Sequence, residues 1–180
     1  MELKIEGEQI NLRKLKKSDA PSIYQNANDK LIAKYTTLPH PYKLDGAYGF
    51  IRKTHQKLNS KKAFELGIEL KETKEIIGMI SLMKVDYDNR NAEIGYWLGK
   101  KYWGRKIMKE AIKLLLNFGF KKLKLIRIYA KVFHPNISSA KLLEKSGFQY
   151  EGRMRKTTLK DGKWMDDLIY SILSSEFKSK

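Results

Sequence analysis

The spacing of the apolar residues changes at Gly104, and this change constrains the fold more than any other feature. Residues Ala92 to Leu98 are predicted to form a strand. From Gly104 to about Lys121 the apolar residues recur at helical spacing, at Ile107, Ala111, Leu114, Leu115 and Phe118. The chain therefore runs from a strand through a short turn directly into a helix, which indicates a mixed α/β layer.

Periodicity and turn signals predict the other elements on either side of this unit. We predict further strands over Gln9–Leu15, Ala63–Leu70, Ile76–Val85, Leu125–Phe133, Phe148–Thr158 and Trp164–Leu173. We predict further helices over Ser18–Asn28, Asp45–Leu58 and Asn136–Ser146. Two prolines indicate an irregular loop over Tyr35–Leu44, and Asp161-Gly162 is a hairpin signal. Nothing marks a boundary, so residues 1–180 are expected to form a single domain.

The scarce residue types exclude several chemistries. The absence of cysteine excludes disulfides, thiolate metal sites and a cysteine nucleophile, and the three histidines are too widely spaced to predict a metal site. No run approaches the roughly 20 apolar residues that span a bilayer. The N-terminus lacks the apolar stretch of a secretory signal. We therefore expect a cytoplasmic protein without a membrane partner.

The charge balance is unusual, with 37 Lys and Arg residues against 20 Asp and Glu residues and a net charge of +17. Such a field attracts nucleotide phosphates, RNA or acidic protein surfaces. A lysine-rich proteome or a high growth temperature would also enrich surface lysine without any partner. Basic residues are dense between Lys100 and Lys124, where the only acidic residue is Glu110. This segment suits either a phosphate at the helix start or an ordinary basic amphipathic helix.

Several short motifs follow one another in a recognisable order. They are Glu93-Ile94-Gly95-Tyr96-Trp97-Leu98, Tyr102-Trp103-Gly104, Asn136-Ile137-Ser138-Ser139, Glu144-Lys145-Ser146-Gly147-Phe148, Glu151-Gly152-Arg153 and Asp161-Gly162-Lys163-Trp164-Met165-Asp166. Together they resemble the signature of the GNAT acetyltransferases, particularly the branch of the ribosomal-protein alanine N-acetyltransferases. The resemblance implies an acetyl-CoA-dependent N-acetyltransferase with a GNAT-like acyl-CoA N-acyltransferase fold. In that fold a mixed central sheet contains a splayed strand pair and is flanked by helices.

The resemblance also implies where acetyl-CoA would bind. A bulge in the strand Ala92–Leu98 would splay it from Leu125–Phe133, and the pantetheine arm would lie in the gap. Cofactor-binding roles are implied for three strand residues, for six residues of the turn around the pyrophosphate and for one residue at the next helix start: Tyr96, Trp97, Leu98, Trp103, Gly104, Arg105, Lys106, Ile107, Met108 and Asn136.

The pyrophosphate turn departs from the family pattern at two positions. Lys106 stands where the family has a central glycine, and Met108 stands where it has a last small residue. A side chain at position 106 can obstruct the close approach of the backbone to the phosphates. Alternatively, the Lys106 ammonium can supply charge that compensates for looser amide contacts.

Candidate catalytic residues follow from the chemistry of acetyl transfer, which needs a neutral amine and a proton for the departing thiolate. Glu93 is the carboxylate nearest the implied reaction centre and the candidate base. Many family members donate the proton from a tyrosine that here is Leu143, so Ser139 becomes the candidate donor. His134 is a second candidate relay. Asp166 and its neighbour Asp167 are candidates for holding the acceptor ammonium.

The sequence leaves three functions open. An α-amine has a pKa of about 7.7–8.0, against about 10.4 for lysine, so a protein N-terminus needs little help to lose its proton. The branch resemblance and the positive charge favour the N-terminus of a protein such as a ribosomal protein, near the ribosome or RNA. The alternatives are a small amine, such as a polyamine or an aminoglycoside, and a non-catalytic basic RNA-binding module. Both a monomer and a homodimer are compatible with the sequence.

Overall fold

In the computed structural model, which describes residues 3–178, an eight-stranded sheet carries helices on both faces. The strands are β1 (Lys4–Glu6), β2 (Ile10–Arg13), β3 (Phe64–Leu70), β4 (Ile76–Asp86), β5 (Asn91–Leu98), β6 (Arg127–Phe133), β7 (Gln149–Lys160) and β8 (Lys163–Leu173). The helices are α1 (Ala20–Ala27), α2 (Lys30–Tyr35), α3 (Leu44–Asn59), α4 (Ile107–Asn117) and α5 (Ile137–Lys145). None of the helices in the described part of the chain is long and apolar enough to cross a membrane.

The sheet is mixed because one of its strand pairs is parallel. The strand order is β1-β2-β3-β4-β5-β6-β8-β7, and β5 and β6 run parallel while the other neighbours are antiparallel. The pairing of β5 with β6 extends only from Asn91↔Arg127 to Ile94↔Ala130. Beyond it β5 stays paired with β4, and β6 stays paired with β8. The two strands therefore diverge, which confirms the predicted α/β fold with a splayed strand pair.

The two faces of the sheet are covered by different helices. On the first, α4 and α5 supply side chains such as Leu115 and Leu143 to the larger core, together with Ile80 and Ile94 of the sheet. On the second, α1 and α3 supply Ile23 and Ile51 to a smaller core. We call these the α4/α5 face and the α1/α3 face. Because strand residues alternate between faces, any residue of β5 can be assigned to one of them.

The element bounds differ from the sequence predictions at a few places. α4 begins at Ile107 rather than at Gly104, because Gly104 and Lys106 have φ values of +75° and +59°. The strand β1 and the helix α2 were not predicted. Helix α2 lies directly before the predicted irregular loop, and its last residue is the first residue of that loop. Asp29 starts α2 by accepting hydrogen bonds from the backbone N–H groups of Leu31 and Ile32.

The bulge expected in β5 lies in its neighbour β4. The register of β4 with β5 runs without a break from Gly78↔Leu98 to Met83↔Glu93 and then jumps to Asp86↔Asn91. The jump covers three residues of β4 against two of β5, so the extra residue belongs to β4. Lys84 lies within it and has a φ of +50°.

A buried ionic network joins β2 and β3 to the turn that precedes α1. The Arg13 guanidinium donates two hydrogen bonds to Asp19, at 2.8 and 2.9 Å, and a third to Glu69. Asn11 donates to the same Glu69 carboxylate at 2.9 Å. Arg13, Asp19 and Glu69 are each 8% exposed. Such a network keeps three charges satisfied where water has little access.

Candidate active site

From Gly95 in β5 and Lys131 in β6 onward, the facing edges of the two strands are separated by a gap. Tyr96 and Leu98 lie on the α4/α5 face, since both contact its core. Trp97 lies on the opposite face and packs against the α1/α3 core. The three residues implied to line the pantetheine arm are thus divided between the two faces. Their backbone, which is common to both, borders the gap.

A hydroxyl pair lies beside this gap on the α4/α5 face. The Tyr96 hydroxyl and Ser139 Oγ are 2.8 Å apart and share a hydrogen bond. Burial raises the pKa of Tyr96 to about 12, and the hydrogen bond with Ser139 lowers it by less. The phenol is therefore protonated at neutral pH and can act as a proton donor.

Asn136 fixes Ser139 relative to the strand. Asn136 is the N-cap of α5, and its Oδ1 accepts a hydrogen bond from the Ser139 backbone N–H at 3.2 Å. Its own backbone N–H donates to Phe133, the last residue of β6, at 2.7 Å. The start of α5 is thereby tied to the strand that borders the gap. Leu143, the position that is a tyrosine in many GNAT enzymes, is fully buried in the core and cannot reach a reacting group.

The turn from Trp103 to Met108 presents backbone amides at the start of α4. Trp103 closes it by donating from Nε1 to the Leu98 carbonyl at 2.7 Å. Ile107 and Met108 are 1% and 8% exposed, so their side chains belong to the core and only their N–H groups can serve a ligand. The first N–H groups of a helix have no partner within it and favour an anion. This geometry fits a pyrophosphate.

Lys106 occupies the left-handed conformation that a central glycine would adopt without strain. Its φ and ψ are 59° and 3°, and no side-chain hydrogen bond caps the helix there. We expect Lys106→Gly to raise the free energy of unfolding by about 1 kcal/mol, because glycine lacks the Cβ that disfavours this conformation. Urea unfolding measures the change. Lys106→Ala keeps the Cβ and serves as the control, and equal stabilities of the two variants would contradict the interpretation.

Glu93 lies on the α1/α3 face, where the pairing of β5 with β6 is about to end. It is three residues from Tyr96 along a regularly paired strand, so the two side chains point to opposite faces. Its Oε2 accepts a hydrogen bond from Lys84 Nζ at 2.8 Å, and its side chain is 12% exposed. The two candidate catalytic residues, Glu93 and Ser139, are therefore on opposite sides of the sheet. The gap between the strands connects the two sides.

The acidic candidates at the hairpin have different surroundings. Asp166 forms an ion pair with Arg153 at 2.5 Å, and a hydrogen bond from the Lys156 backbone, followed by the Arg153 contact, lowers its pKa. Asp167 is 3% exposed, and its Oδ2 accepts from two threonine hydroxyls. Its Oδ1 has no hydrogen-bond partner among residues 3–178. Of the two, only Asp167 keeps a carboxylate oxygen that is not held by a cation or a donor.

His134 is held through its backbone, whose N–H donates to the Asp166 carbonyl at 2.9 Å. Sequence reasoning did not anticipate the contact of Tyr96 with Ser139, because 43 residues separate them. It also missed Lys84, whose contact with Glu93 depends on the bulge in β4. No local pattern signals either contact.

Comparison with known proteins yields a family and several relatives. The model of the acetyltransferase (GNAT) domain matches residues 9–149. The chain is 34% identical over 170 residues to the uncharacterized N-acetyltransferase p20 of Bacillus licheniformis, over 94% of this chain and 96% of that protein. It is 25% identical over 172 residues to spermidine N(1)-acetyltransferase of Vibrio cholerae, over 96% of this chain and 97% of that protein.

Solved structures show the same architecture. A GNAT-family acetyltransferase from Bacillus anthracis has a TM-score of 0.85 and 26% identity over 97% of this chain and 100% of its own. The ribosomal-protein-S5-alanine acetyltransferase from Vibrio fischeri also has a TM-score of 0.85 and 26% identity, over 98% and 100%. The microcin C7 self-immunity acetyltransferase MccE, solved with acetyl-CoA and AMP, has a TM-score of 0.84 and 27% identity over 93% of both chains.

Proposed function

This chain belongs to the GNAT acetyltransferase family, and we propose that it transfers the acetyl group of acetyl-CoA to the α-amine at the N-terminus of a protein, such as a ribosomal protein. The observation that carries the proposal is the gap between β5 and β6, with a carboxylate on one face and a hydroxyl pair on the other. An amine can approach from the side of Glu93, and a thioester from the side of Ser139. The resemblance to an enzyme that acetylates ribosomal protein S5 supports the choice of acceptor.

The proposed acetyl-CoA site uses three parts of the chain. The pantetheine arm lies along the free backbone edge of β5 at Tyr96, Trp97 and Leu98, with Asn136 beside it. The pyrophosphate lies against the turn from Trp103 to Met108, where the first N–H groups of α4 and the charge of Arg105 and Lys106 favour an anion. A backbone N–H of β5 then stabilises the oxyanion that forms on the thioester carbonyl.

Proton transfers in the proposed reaction run from one face of the sheet to the other. The Glu93 carboxylate accepts a proton from the acceptor amine, directly or through water, and the neutral nitrogen attacks the thioester carbon. A C–N bond forms, the C–S bond breaks, and the leaving thiolate takes a proton from the Tyr96–Ser139 pair. The second proton that the nitrogen loses as the amide forms passes to water, which returns a proton to the pair. The sheet thus separates the base from the acid. The base faces the acceptor amine, and the acid faces the leaving thiolate.

The charges around the gap favour an α-amine over a polycation. Glu93 is paired with Lys84, and Asp166 is paired with Arg153. A polyamine would need carboxylates that are not already neutralised. Only the buried Asp167 oxygen meets that requirement among the acidic candidates, which is too little for several ammonium groups. The spermidine-acetylating relative nevertheless defines the alternative to be tested.

The acceptor is tested with matched peptides that carry a free or a blocked N-terminus, using CoA release as the assay. We expect turnover of the free peptides only, and slower turnover of spermidine. Turnover that is indifferent to blocking would contradict the proposal, and a low KM for spermidine would favour the small-amine function. Calorimetry with acetyl-CoA tests the non-catalytic alternative, since a protein that binds RNA and ignores acetyl-CoA is not an acetyltransferase.

Glu93→Gln is expected to lower kcat/KM about 100-fold at pH 7, because general-base catalysis contributes roughly that much. Part of the loss should be recovered at pH 9, where an α-amine with a pKa of about 8 has already lost its proton to solvent. Steady-state kinetics from pH 6 to 9 measure both effects. Glu72→Gln, at an exposed position in the turn after β3, is the control. Full activity of Glu93→Gln at pH 7 would exclude Glu93 as the base.

A further inference from the structure

A bulge in the sheet places Lys84 beside Glu93. Lys84 lies in the bulge of β4, where Met83↔Glu93 is followed by Asp86↔Asn91, and its φ is +50°. A bulge bends its strand and changes the direction of a side chain. Here the side chain is directed to Glu93 at the point where β5 begins to separate from β6.

The contact between Lys84 and Glu93 is asymmetric. The Nζ to Oε2 distance is 2.8 Å, the Lys84 side chain is 64% exposed, and the Glu93 side chain is 12% exposed. The hydrogen bond that Lys84 donates to Glu93 raises the pKa of Lys84, so the ammonium stays charged across the physiological range. The lysine therefore reaches from solvent onto a carboxylate that has little other contact with water.

Two titratable groups of β6 lie on the same face of the sheet as Glu93. Tyr129 is its register partner, and burial followed by the charge of Glu93 raises the pKa of this phenol. Arg127 lies two residues earlier, and its guanidinium makes a double hydrogen bond with Glu151. Among these groups, Lys84 is the cation that contacts Glu93 directly.

The backbone conformation of Lys84 carries an energetic cost. A left-handed conformation is unfavourable for a residue with a Cβ, and an ion pair with a largely exposed partner contributes little. Backbone strain of this kind is typical of functional sites, where the surrounding structure maintains it. The strain at Lys84 places a permanent positive charge against the candidate base.

We propose that Lys84 is a positioning residue that orients Glu93, so that this carboxylate can accept the proton of the acceptor amine. The inference rests on the proposed function, in which Glu93 is the base. A hydrogen bond from the Lys84 ammonium fixes the Glu93 carboxylate at the point where β5 begins to separate from β6. A base that is held in one orientation accepts the proton of the amine more readily than one that rotates freely.

Lys84→Met removes the charge and keeps the length of the side chain, and Lys84→Arg keeps the charge. With a free-N-terminus peptide, we expect Lys84→Met to lower kcat about 10-fold at pH 7, because the Glu93 carboxylate is no longer held in position. The KM for acetyl-CoA should not change. Lys84→Arg should retain most of the activity, because it keeps a charged donor to Glu93.

Lys74→Met is the matched control, because Lys74 is another lysine at positive φ, with a value of +62°, in the turn after β3. Urea midpoints and circular dichroism establish that each variant is folded. A kcat of Lys84→Met equal to that of the wild type would overturn the role of Lys84, and so would an equal loss in Lys84→Arg. Wild-type enzyme that fails on every free-N-terminus peptide would instead contradict the proposed function.

Discussion

Removing either hydroxyl of the Tyr96–Ser139 pair should lower kcat about 100-fold, the usual contribution of general-acid catalysis. The two groups share one hydrogen bond of 2.8 Å, so they are expected to deliver the thiolate's proton as a unit. The double variant Tyr96→Phe with Ser139→Ala should therefore lose little more than either single variant, because residues that act as a unit have non-additive effects. Steady-state kinetics with acetyl-CoA and a free-N-terminus peptide measure all three.

Tyr150→Phe provides the control for loss of a phenol, since Tyr150 is 53% exposed on β7. It should keep the wild-type kcat. A thiolate of low pKa can leave without taking a proton. With thioesters of such thiols, the difference in kcat between Ser139→Ala and the wild type should therefore become smaller. Wild-type kcat in both single variants, or effects that simply multiply in the double variant, would contradict a shared proton donor.

Arg13→Met should lower the free energy of unfolding by about 3–5 kcal/mol, the cost of leaving buried charges without their partner. Arg13 donates to both Asp19 and Glu69, and both carboxylates are 8% exposed. Urea unfolding at pH 7 measures the loss. Arg52→Met, at an exposed position of α3, should change stability by less than about 0.5 kcal/mol. A small loss in Arg13→Met would show that water reaches the two carboxylates.

The same network predicts a dependence of stability on pH. Burial raises the pKa of Glu69, but the hydrogen bonds from Asn11 and Arg13 outweigh it, so the pKa is below its usual value. A carboxyl group whose pKa is lowered by folding contributes stability above its unfolded pKa of about 4.3, and the contribution is lost as the pH falls through the folded pKa. Wild-type protein should therefore lose stability in acid more steeply than Arg13→Met. Parallel curves below pH 4.5 would contradict this assignment.

Much of the fold could be predicted because it depends on local patterns. Strand and helix periods, the Asp161-Gly162 turn and the N-cap at Asn136 each act over a few residues. They gave the order of nearly all elements and the unit that continues from β5 into α4. Two short elements were missed, since three residues in β1 and six in α2 are too few to establish a period.

The amino-acid sequence by itself determined the succession of all elements except β1 and α2, the absence of cysteine chemistry and the motifs that identify the family. Only the tertiary structure showed that Tyr96 contacts Ser139 and that Glu93 lies on the opposite face of the sheet. It also showed that the bulge lies in β4, where Lys84 contacts Glu93. The physical reason is that periodicity records which face of an element is buried, whereas contacts between distant residues depend on strand register and helix packing. The chemistry proposed for this protein depends on those contacts.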